Sequence, residues 1–533
     1  MVTYAELWAA DPEAWRAAGV AWSRMASVVA RRAAEISAVA DRVAAGWAGT
    51  AGSAAAGHVR ALREPLDAAR LAFVETDQVL SRLAAALSRA RARLASAVAA
   101  AAPANVEIDR DGRTAPASTV TGIDRVAALR AADRVGASIA GALGAAEVAD
   151  RAAATGLARL RDAAEERWPV SPPPLRPGFG APPAVVVGWW RSLTDAERRW
   201  LVLHDPAWVG RLDGIPVAAR DQANRAMLAG QRAELMRARA AALSGDLRPL
   251  SGVWESHRLV RLMSGIDAVD ARLSAETGDR AYLLSLVPHG DGQVVLAVGD
   301  PDHADNVLTY VPGMTADLGA VRDDLSRADA MAHRAASLDA TQTTSTVLWL
   351  GYDAPDFLHE AAFRTKAEEA GPALHRFAEG LRATHEGPPA QQTVLGHSYG
   401  SLAVGSTAHG HGLAADDLVL VGSPGVGVDH ASALGAPPTR VWSSTAADDM
   451  IGYLAPGPDE PLNRLRDMLT WPPVHPRPNE DLWFGRNPTD PSFGAHVFAG
   501  QPRGHSGYWH PDNDTLDDIA RIALGPEHHG DVR

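Results

Sequence analysis

From residue 280 to 525, short β-rich runs alternate with helical stretches, and no other feature narrows the possible folds as far. The runs are Tyr282–Val287, Val294–Val298, Val307–Val311, Thr346–Leu350, Thr393–Leu395, Leu418–Val421, Arg440–Ser444 and Val497–Phe498. Helical patterns fall near 315–336, 357–384, 400–411 and 515–524. Strands that alternate with helices imply a mainly parallel sheet covered on both faces, since each crossover lays a helix against the sheet. The first two runs are joined only through His289-Gly290-Asp291-Gly292, which predicts one antiparallel hairpin at the start.

The first hundred residues obey a different rule. Trp8, Trp15, Trp22, Val29, Ile36 and Val43 recur every seven residues, and after Gly46-Trp47-Ala48-Gly49 the pattern resumes at Val59, Leu66, Phe73, Leu80, Leu87 and Leu94. Gly19, Ala26, Ala33 and Ala40 add a small residue to each heptad, so the expectation is a narrow seam of one large and one small residue per repeat. The Gly-rich break predicts a tight turn, giving a long antiparallel helical hairpin over residues 1–105. The stretch 103–122, with Asp109, Asp111 and Gly112, reads as a loop, and an alanine-rich helix completes the segment 106–168. Residues 169–185, with Pro172-Pro173-Pro174, read as a semi-rigid linker. A helical lead-in, 186–279, precedes the α/β domain at 280–525, and 526–533 is a tail. In the lead-in, Thr194 and Glu197 have the spacing of a capping box.

A chain of 533 residues exceeds what a single hydrophobic core supports. A net charge of −13 argues against a nucleic-acid partner. The absence of cysteine excludes disulfides, thiolate metal sites and a cysteine nucleophile. No run of about 18 strongly apolar residues predicts an integral membrane segment, and Met1–Trp15 lacks the pattern of a cleaved signal peptide. The expectation is a soluble protein, cytoplasmic or exported without a cleaved signal. No cofactor or metal is expected, because no His–Glu metal motif or phosphate loop occurs. Asp512-Asn513-Asp514 lacks the glycine and glutamate of a calcium loop and reads as a helix cap.

Gly396-His397-Ser398-Tyr399-Gly400 joins an apolar strand to a small-residue helix. This is G-x-S-x-G in the context it requires: glycines permit a sharp strand-to-helix turn that holds the serine hydroxyl exposed at its tip. Ser398 is therefore the candidate nucleophile. A serine hydroxyl needs a base, and the base an orienting acid, in the chain order Ser, acid, His. His505 follows the last strand and precedes the last helix, where the base belongs; His510 is the alternative, and His496 opens the strand at the wrong end. In the loop after Arg440–Ser444, Asp449 is the first candidate acid and Asp448 the second, with Asp429 behind them. Backbone amides of Tyr399, at the head of its helix, and Met314, after the third strand, are the candidate oxyanion donors. Trp471, Trp483, Phe484 and Phe493 sit in an insertion, 452–494, that suits either a lid over an acyl pocket or a packed surface loop.

Two resemblances add to this reading. The hairpin, with Trp47-Ala48-Gly49 at its turn, resembles the WXG-type proteins associated with type VII secretion. Phe73-x-x-x-Asp77 is the nearest approach to the tyrosine-x-x-x-acid export signal, and Phe73 already has a heptad role. The hairpin suits either an export-related role, as the resemblance implies, or a docking arm for a helical partner or self-association. Trp189-Trp190, Leu212-Asp213-Gly214-Ile215-Pro216, Tyr310-Val311-Pro312-Gly313, Gly351-Tyr352-Asp353, the serine motif, Gly422-Ser423-Pro424-Gly425 and Gly504-His505 together look like an actinobacterial α/β-hydrolase family first catalogued as a domain of unknown function. It implies a Ser-Asp-His hydrolase, often with a helical N-terminal extension, and no particular substrate; the expected activity, from the serine motif, is that of an esterase-type acyl hydrolase on a small-molecule or lipid ester. Similar proteins have Asp-Pro-Ile where this chain has Asp449-Met450-Ile451.

Overall fold

The computed structural model describes residues 2–166, 168–243, 250–453, 480–498 and 503–533. They form two compact units, residues 1–170 with 339–343, and residues 171–338 with 344–533. Among the described residues no helix is long and apolar enough to cross a membrane.

The first unit opens with α1 (Tyr4–Ala9), capped by a reciprocal Thr3–Glu6 box. It continues through α2 (Pro12–Gly46), α3 (Thr50–Ala61), α4 (Glu64–Ala101) and α5 (Gly122–Glu165). Asp11 caps α2 by accepting from the Ala14 amide, and Pro12 fills the first helical position, where no amide partner is needed. The turn runs through Gly49 at φ 110°, a backbone that favours glycine. The second arm then breaks at Leu62-Arg63 into α3 and α4. The arms are antiparallel: Trp22 packs on Phe73 at 5.3 Å, while Arg63 reaches Ser37.

The seam follows the heptad expectation in part: Leu80, Leu87 and Leu94 of the large column are buried. Gly19, Ala26, Ala33 and Ala40 are all buried, but Trp8 and Trp15 of the large column are exposed, at 36% and 43%. Where two helix axes approach closely, the contact stripe is the small column, and bulky neighbours are turned to its flank. At Gly19 the reason is visible, since a Cβ there would lie 2.9 Å from Asp77 Oδ1. Asp77 is itself buried and accepts from Ser81 Oγ at 3.0 Å, so Phe73 and Asp77 both face inward. The stretch read as a loop contains a small antiparallel hairpin of β1 (Val106–Ile108) and β2 (Thr114–Pro116). Its turn is fixed by Asp109 Oδ1, which accepts from the Asp111 and Arg113 amides; three-residue strands are too short to show alternation.

The second unit is built on one eight-stranded sheet. Its strands are β3 (Ala281–Val287), β4 (Gln293–Val298), β5 (Asn306–Val311), β6 (Thr344–Leu350), β7 (Gln391–His397), β8 (Asp417–Val421), β9 (Val441–Ser444) and, after a two-residue-strand ribbon of β10 (Asp481–Leu482) and β11 (Gly485–Arg486), β12 (His496–Val497). All eight runs read from the sequence are strands of this sheet. The order is β12-β9-β8-β7-β5-β6-β4-β3. Only β4 is antiparallel to its neighbours, pairing that way with both β3 and β6, so the expected early hairpin gains a second antiparallel partner. Helices Val321–Leu338, Thr365–Thr384, Tyr399–His411 and Asp514–Leu524 fall where the pattern puts them. The central strands are buried along their length, which is why they read as continuous apolar runs rather than alternating ones. Upstream, the Thr194–Glu197 capping box forms as expected. Asn513 caps the last helix by accepting from the Thr515 amide.

Candidate active site

The site begins where β7 ends. Ser398 follows the strand with φ 55° and ψ −131°, a conformation a non-glycine residue rarely holds. Its amide donates to Val421 O of β8 at 3.0 Å, and its carbonyl accepts from Ser401. The flanking glycines are required by contact rather than by flexibility. A Cβ on Gly396 would lie 2.5 Å from Ser401 Cα, and one on Gly400 would lie 2.3 Å from Val311 O. The turn is therefore clamped between its own helix and the end of β5.

Ser398 Oγ lies 2.8 Å from His505 Nε2. On the other side of the ring, His505 Nδ1 donates to Asp449, 2.9 Å from Oδ2 and 3.0 Å from Oδ1. That bond fixes the tautomer that leaves Nε2 free to accept from Ser398. Asp449 is almost wholly buried. Burial pushes its carboxyl up, but the hydrogen bond and charge of His505, with the Ile451 amide and Tyr508 hydroxyl, outweigh this and hold it below the ordinary aspartate range. The carboxylate is thus charged at neutral pH.

Of the remaining candidates, Asp448 does not reach the histidine ring. It accepts from the Gly504 amide at 2.7 Å and so ties down the start of the segment that carries His505. Asp429 accepts from the Arg486 amide beside β11. His510 is exposed near Asp512, and His496 packs on Trp442 at 5.0 Å in β12.

Tyr399 is the first residue of its helix, and its phenol is tied down by donating to Phe363 O and accepting from the Ala367 amide. The loop after β5 comes against the elbow: a Cβ on Gly313 would lie 2.6 Å from Ser398 Cβ and 3.0 Å from the Tyr399 amide nitrogen. Met314 follows it, and its amide has no acceptor among the described residues. Thr315, at φ 66°, donates to Pro355 O, while Tyr352 donates to Pro312 O at 2.7 Å. These bonds hold the loop at both ends of Gly313-Met314.

Sequence reasoning missed three contributors. His397 is buried, donates from Nε2 to the His505 carbonyl at 2.8 Å and packs edge-on against Trp509. Burial, reinforced by the neighbouring His505, pushes it down to about 3, so it stays neutral. Tyr508 bonds Asp449, and Gly422 leaves the space in which they meet. Their positions were the signals available: His397 lies inside the serine motif, Gly422 opens Gly422-Ser423-Pro424-Gly425, and Tyr508 stands three residues beyond His505. Within the 452–494 insertion, residues 454–479 with Trp471 lie outside the described residues. Phe493 and Phe484 are buried, Phe484 edge-on to Tyr399 at 6.2 Å, while the half-exposed Trp483 donates to Ala362 O.

The strand order, with its single reversed strand and a serine elbow after the fifth strand of the sheet, defines an α/β hydrolase. Residues 287–457 match the alpha/beta hydrolase family. The uncharacterized protein Rv2079 of Mycobacterium tuberculosis is 30% identical over 422 residues, covering 72% of this chain and 60% of that protein. The chain thus spans 60% of the length of this relative. The uncharacterized protein Rv0963c of M. tuberculosis is 34% identical over 215 residues, 38% of this chain and 79% of that protein, as is Mb0988c of Mycobacterium bovis. The chain belongs to the same family as these mycobacterial proteins, and its second unit has the α/β-hydrolase fold.

Proposed function

We propose that the protein is a serine esterase that works through an acyl-enzyme on Ser398. His505 Nε2 takes the Oγ proton as the serine attacks the ester carbonyl, and Asp449 orients the ring and stabilises the imidazolium. The amides of Met314 and Tyr399 receive the oxyanion of the tetrahedral intermediate. His505 then returns its proton to the leaving alcohol, and a second cycle with water as nucleophile releases the acid. The observation that carries this reading is the unbroken chain Ser398 Oγ, His505 Nε2, His505 Nδ1, Asp449 Oδ2, with links of 2.8 and 2.9 Å. The proposed substrate is a small-molecule or lipid ester.

The test is labelling by a fluorophosphonate, alongside hydrolysis of p-nitrophenyl esters of graded chain length. The native chain should label, and Ser398→Ala and His505→Ala should not. Turnover that persists in pure Ser398→Ala protein would sink the assignment.

A second reading concerns the helical unit, whose α2 exposes Trp15, Met25, Val28 and Val39 on the flank of its seam. These side chains favour docking by another helix or a second copy, the role that a secretion-associated protein with a scaffold-like hydrolase domain would need. Light scattering on the full chain tests it: association that Trp15→Ser with Met25→Ser abolishes supports the reading, and a monomer throughout counts against it.

A further inference from the structure

Tyr508 is fully buried, and each of its two polar contacts touches the loop that carries Asp449. Its hydroxyl donates to Asp449 Oδ2 at 2.9 Å and accepts from the Ala446 amide at 3.1 Å. Asp449 Oδ2 is also the oxygen that receives His505 Nδ1, at 2.9 Å. The carboxylate therefore has three donors, from the His505 ring, the Tyr508 phenol and, on Oδ1 at 3.0 Å, the Ile451 amide. Gly422, at φ 56°, faces this junction: a Cβ there would lie 3.1 Å from both Asp449 Oδ2 and Tyr508 Oη and 3.3 Å from His505 Cε1. Room has been left for these groups to meet and for nothing else.

What sets this phenol apart is its acceptor: buried Tyr310 also donates to a carboxylate, that of Asp324, but Tyr508 gives its proton to the carboxylate that bonds the His505 ring. We propose that Tyr508 is a positioning residue of this site, fixing the rotation of the Asp449 carboxylate and sharing its charge with His505. The inference rests on the serine-hydrolase reading. It makes the orienting system a four-membered chain, Tyr508–Asp449–His505–Ser398, in which the tyrosine acts only through the aspartate.

The consequence is a matter of electrostatic balance. A carboxylate that loses one of its donors keeps more of its charge for the remaining partner, which favours the protonated ring of His505. The other groups around this junction are His397, which feels the charges of Asp449 and Arg327, and Asp448, whose charge acts on Tyr508. None of them replaces the lost bond, since Asp448 is committed to the Gly504 amide and His397 to the His505 carbonyl.

The experiment compares the pH profile of kcat/KM for p-nitrophenyl butyrate in the native chain, Tyr508→Phe, and a chain carrying 3-fluorotyrosine at position 508. Tyr508→Phe should lower kcat about tenfold, the scale of a hydrogen bond to a charged group, with KM unchanged. Its acid limb should move to higher pH, because His505 is harder to deprotonate. The fluorinated ring, nearly the same shape and a stronger donor, should move the limb the other way; it keeps the test decisive if the phenylalanine variant does not fold. In an Asp449→Asn background Tyr508→Phe should change the residual rate less than about twofold, since the pair acts as one unit. A folded Tyr508→Phe chain with native kcat and limb overturns the inference, and so does a loss of kcat with no movement of the limb. A native chain inert to both ester and fluorophosphonate overturns the esterase reading and this inference together; an active native chain with an unresponsive variant overturns this inference alone.

Discussion

Both units depend on residues that have almost no side chain, and they use them for different ends. In the helical unit Gly19, Ala26, Ala33 and Ala40 form the buried stripe of α2, so the helices approach through absent side chains while Trp8 and Trp15 remain outside. In the α/β unit the core is filled by large residues such as Trp349, Tyr310 and Phe498, and several tight glycines, Gly313, Gly396 and Gly400 among them, lie around the end of β7. Gly313 and Gly400 let the loop after β5 close on Ser398 and Tyr399, and Gly422 leaves the space where Asp449, Tyr508 and His505 meet. Small residues thus make packing in one unit and place chemistry in the other. Changes of size should therefore cost stability in the first, while changes of functional group should cost rate in the second.

The largest effects expected are on rate. Ser398→Ala should lower ester turnover by at least about a thousandfold, leaving only what binding and the oxyanion donors supply. Asp449→Asn should cost about a thousandfold to ten-thousandfold, because the amide favours the wrong tautomer of His505. Thermal unfolding of Ser398→Ala should match the native chain, since Ser398 is held through its backbone to Val421 and Ser401. Loss of rate accompanied by loss of folding in that variant would break the division between the two units.

The next effect is on stability. Ala33→Leu puts an isobutyl group into a column buried at 3% exposure, and overpacking of this kind costs about 1–3 kcal/mol. Urea unfolding followed by far-UV circular dichroism measures it. The ester rate is the control, as Ser398, His505 and Asp449 all belong to the second unit. If Ala33→Leu is neutral, the seam is loosely packed, and the contrast drawn from its burial fails.

How much could be read in advance differs between the units for the same physical reason. The central sheet strands were legible because a strand buried on both faces must be continuously apolar; β12, which is exposed, was found from its place before the last helix instead. Ser398, His505 and Asp449 were nameable because chain order and strand ends restrict where such side chains can converge; the structure brings these three together and leaves Asp448 on Gly504. In the hairpin the heptad expectation holds in part: Trp22 meets Phe73, and Leu80, Leu87 and Leu94 are buried like the small column, while Trp8 and Trp15 at the start of the repeat are exposed. The β1–β2 hairpin is held by one aspartate side chain and three residues on each strand, below the length at which periodicity exists. Tyr508 and His397 were invisible as functional groups because their role is a contact with atoms of His505 and Asp449, and contact leaves no local pattern.

The smallest effect separates the units by pH. Residues 1–170 contain one histidine, His58, which is exposed, whereas the α/β unit buries His397 beneath the base. Burial, with the neighbouring His505, lowers His397 to about 3 in the folded state, against an unfolded value near 6.5. Between those limits the unfolded chain binds a proton that the folded chain refuses. The stabilising neutral form is therefore fully present above about 6.5, and stability falls as pH drops, by about 1.4 kcal/mol per pH unit for one proton. Asp302 opposes this: burial and the neighbouring Asp300 raise its carboxyl, so the folded chain holds a proton that the unfolded one releases above about pH 4, and stability falls there as pH rises. The net slope of the native chain mixes the two signs, and His397→Phe separates them. The difference in unfolding free energy between the native chain and His397→Phe, measured in urea by near-UV circular dichroism, should shrink by about 1.4 kcal/mol per unit from pH 6 to pH 4, because only the native chain carries the histidine. The transition of the helical unit should not move between the two chains. Parallel pH curves for the α/β unit would mean that His397 takes up its proton in the folded state; the water that brought it would then also reach the carbonyl of His505, and the ring now read as a dry support for the base would be a wet one.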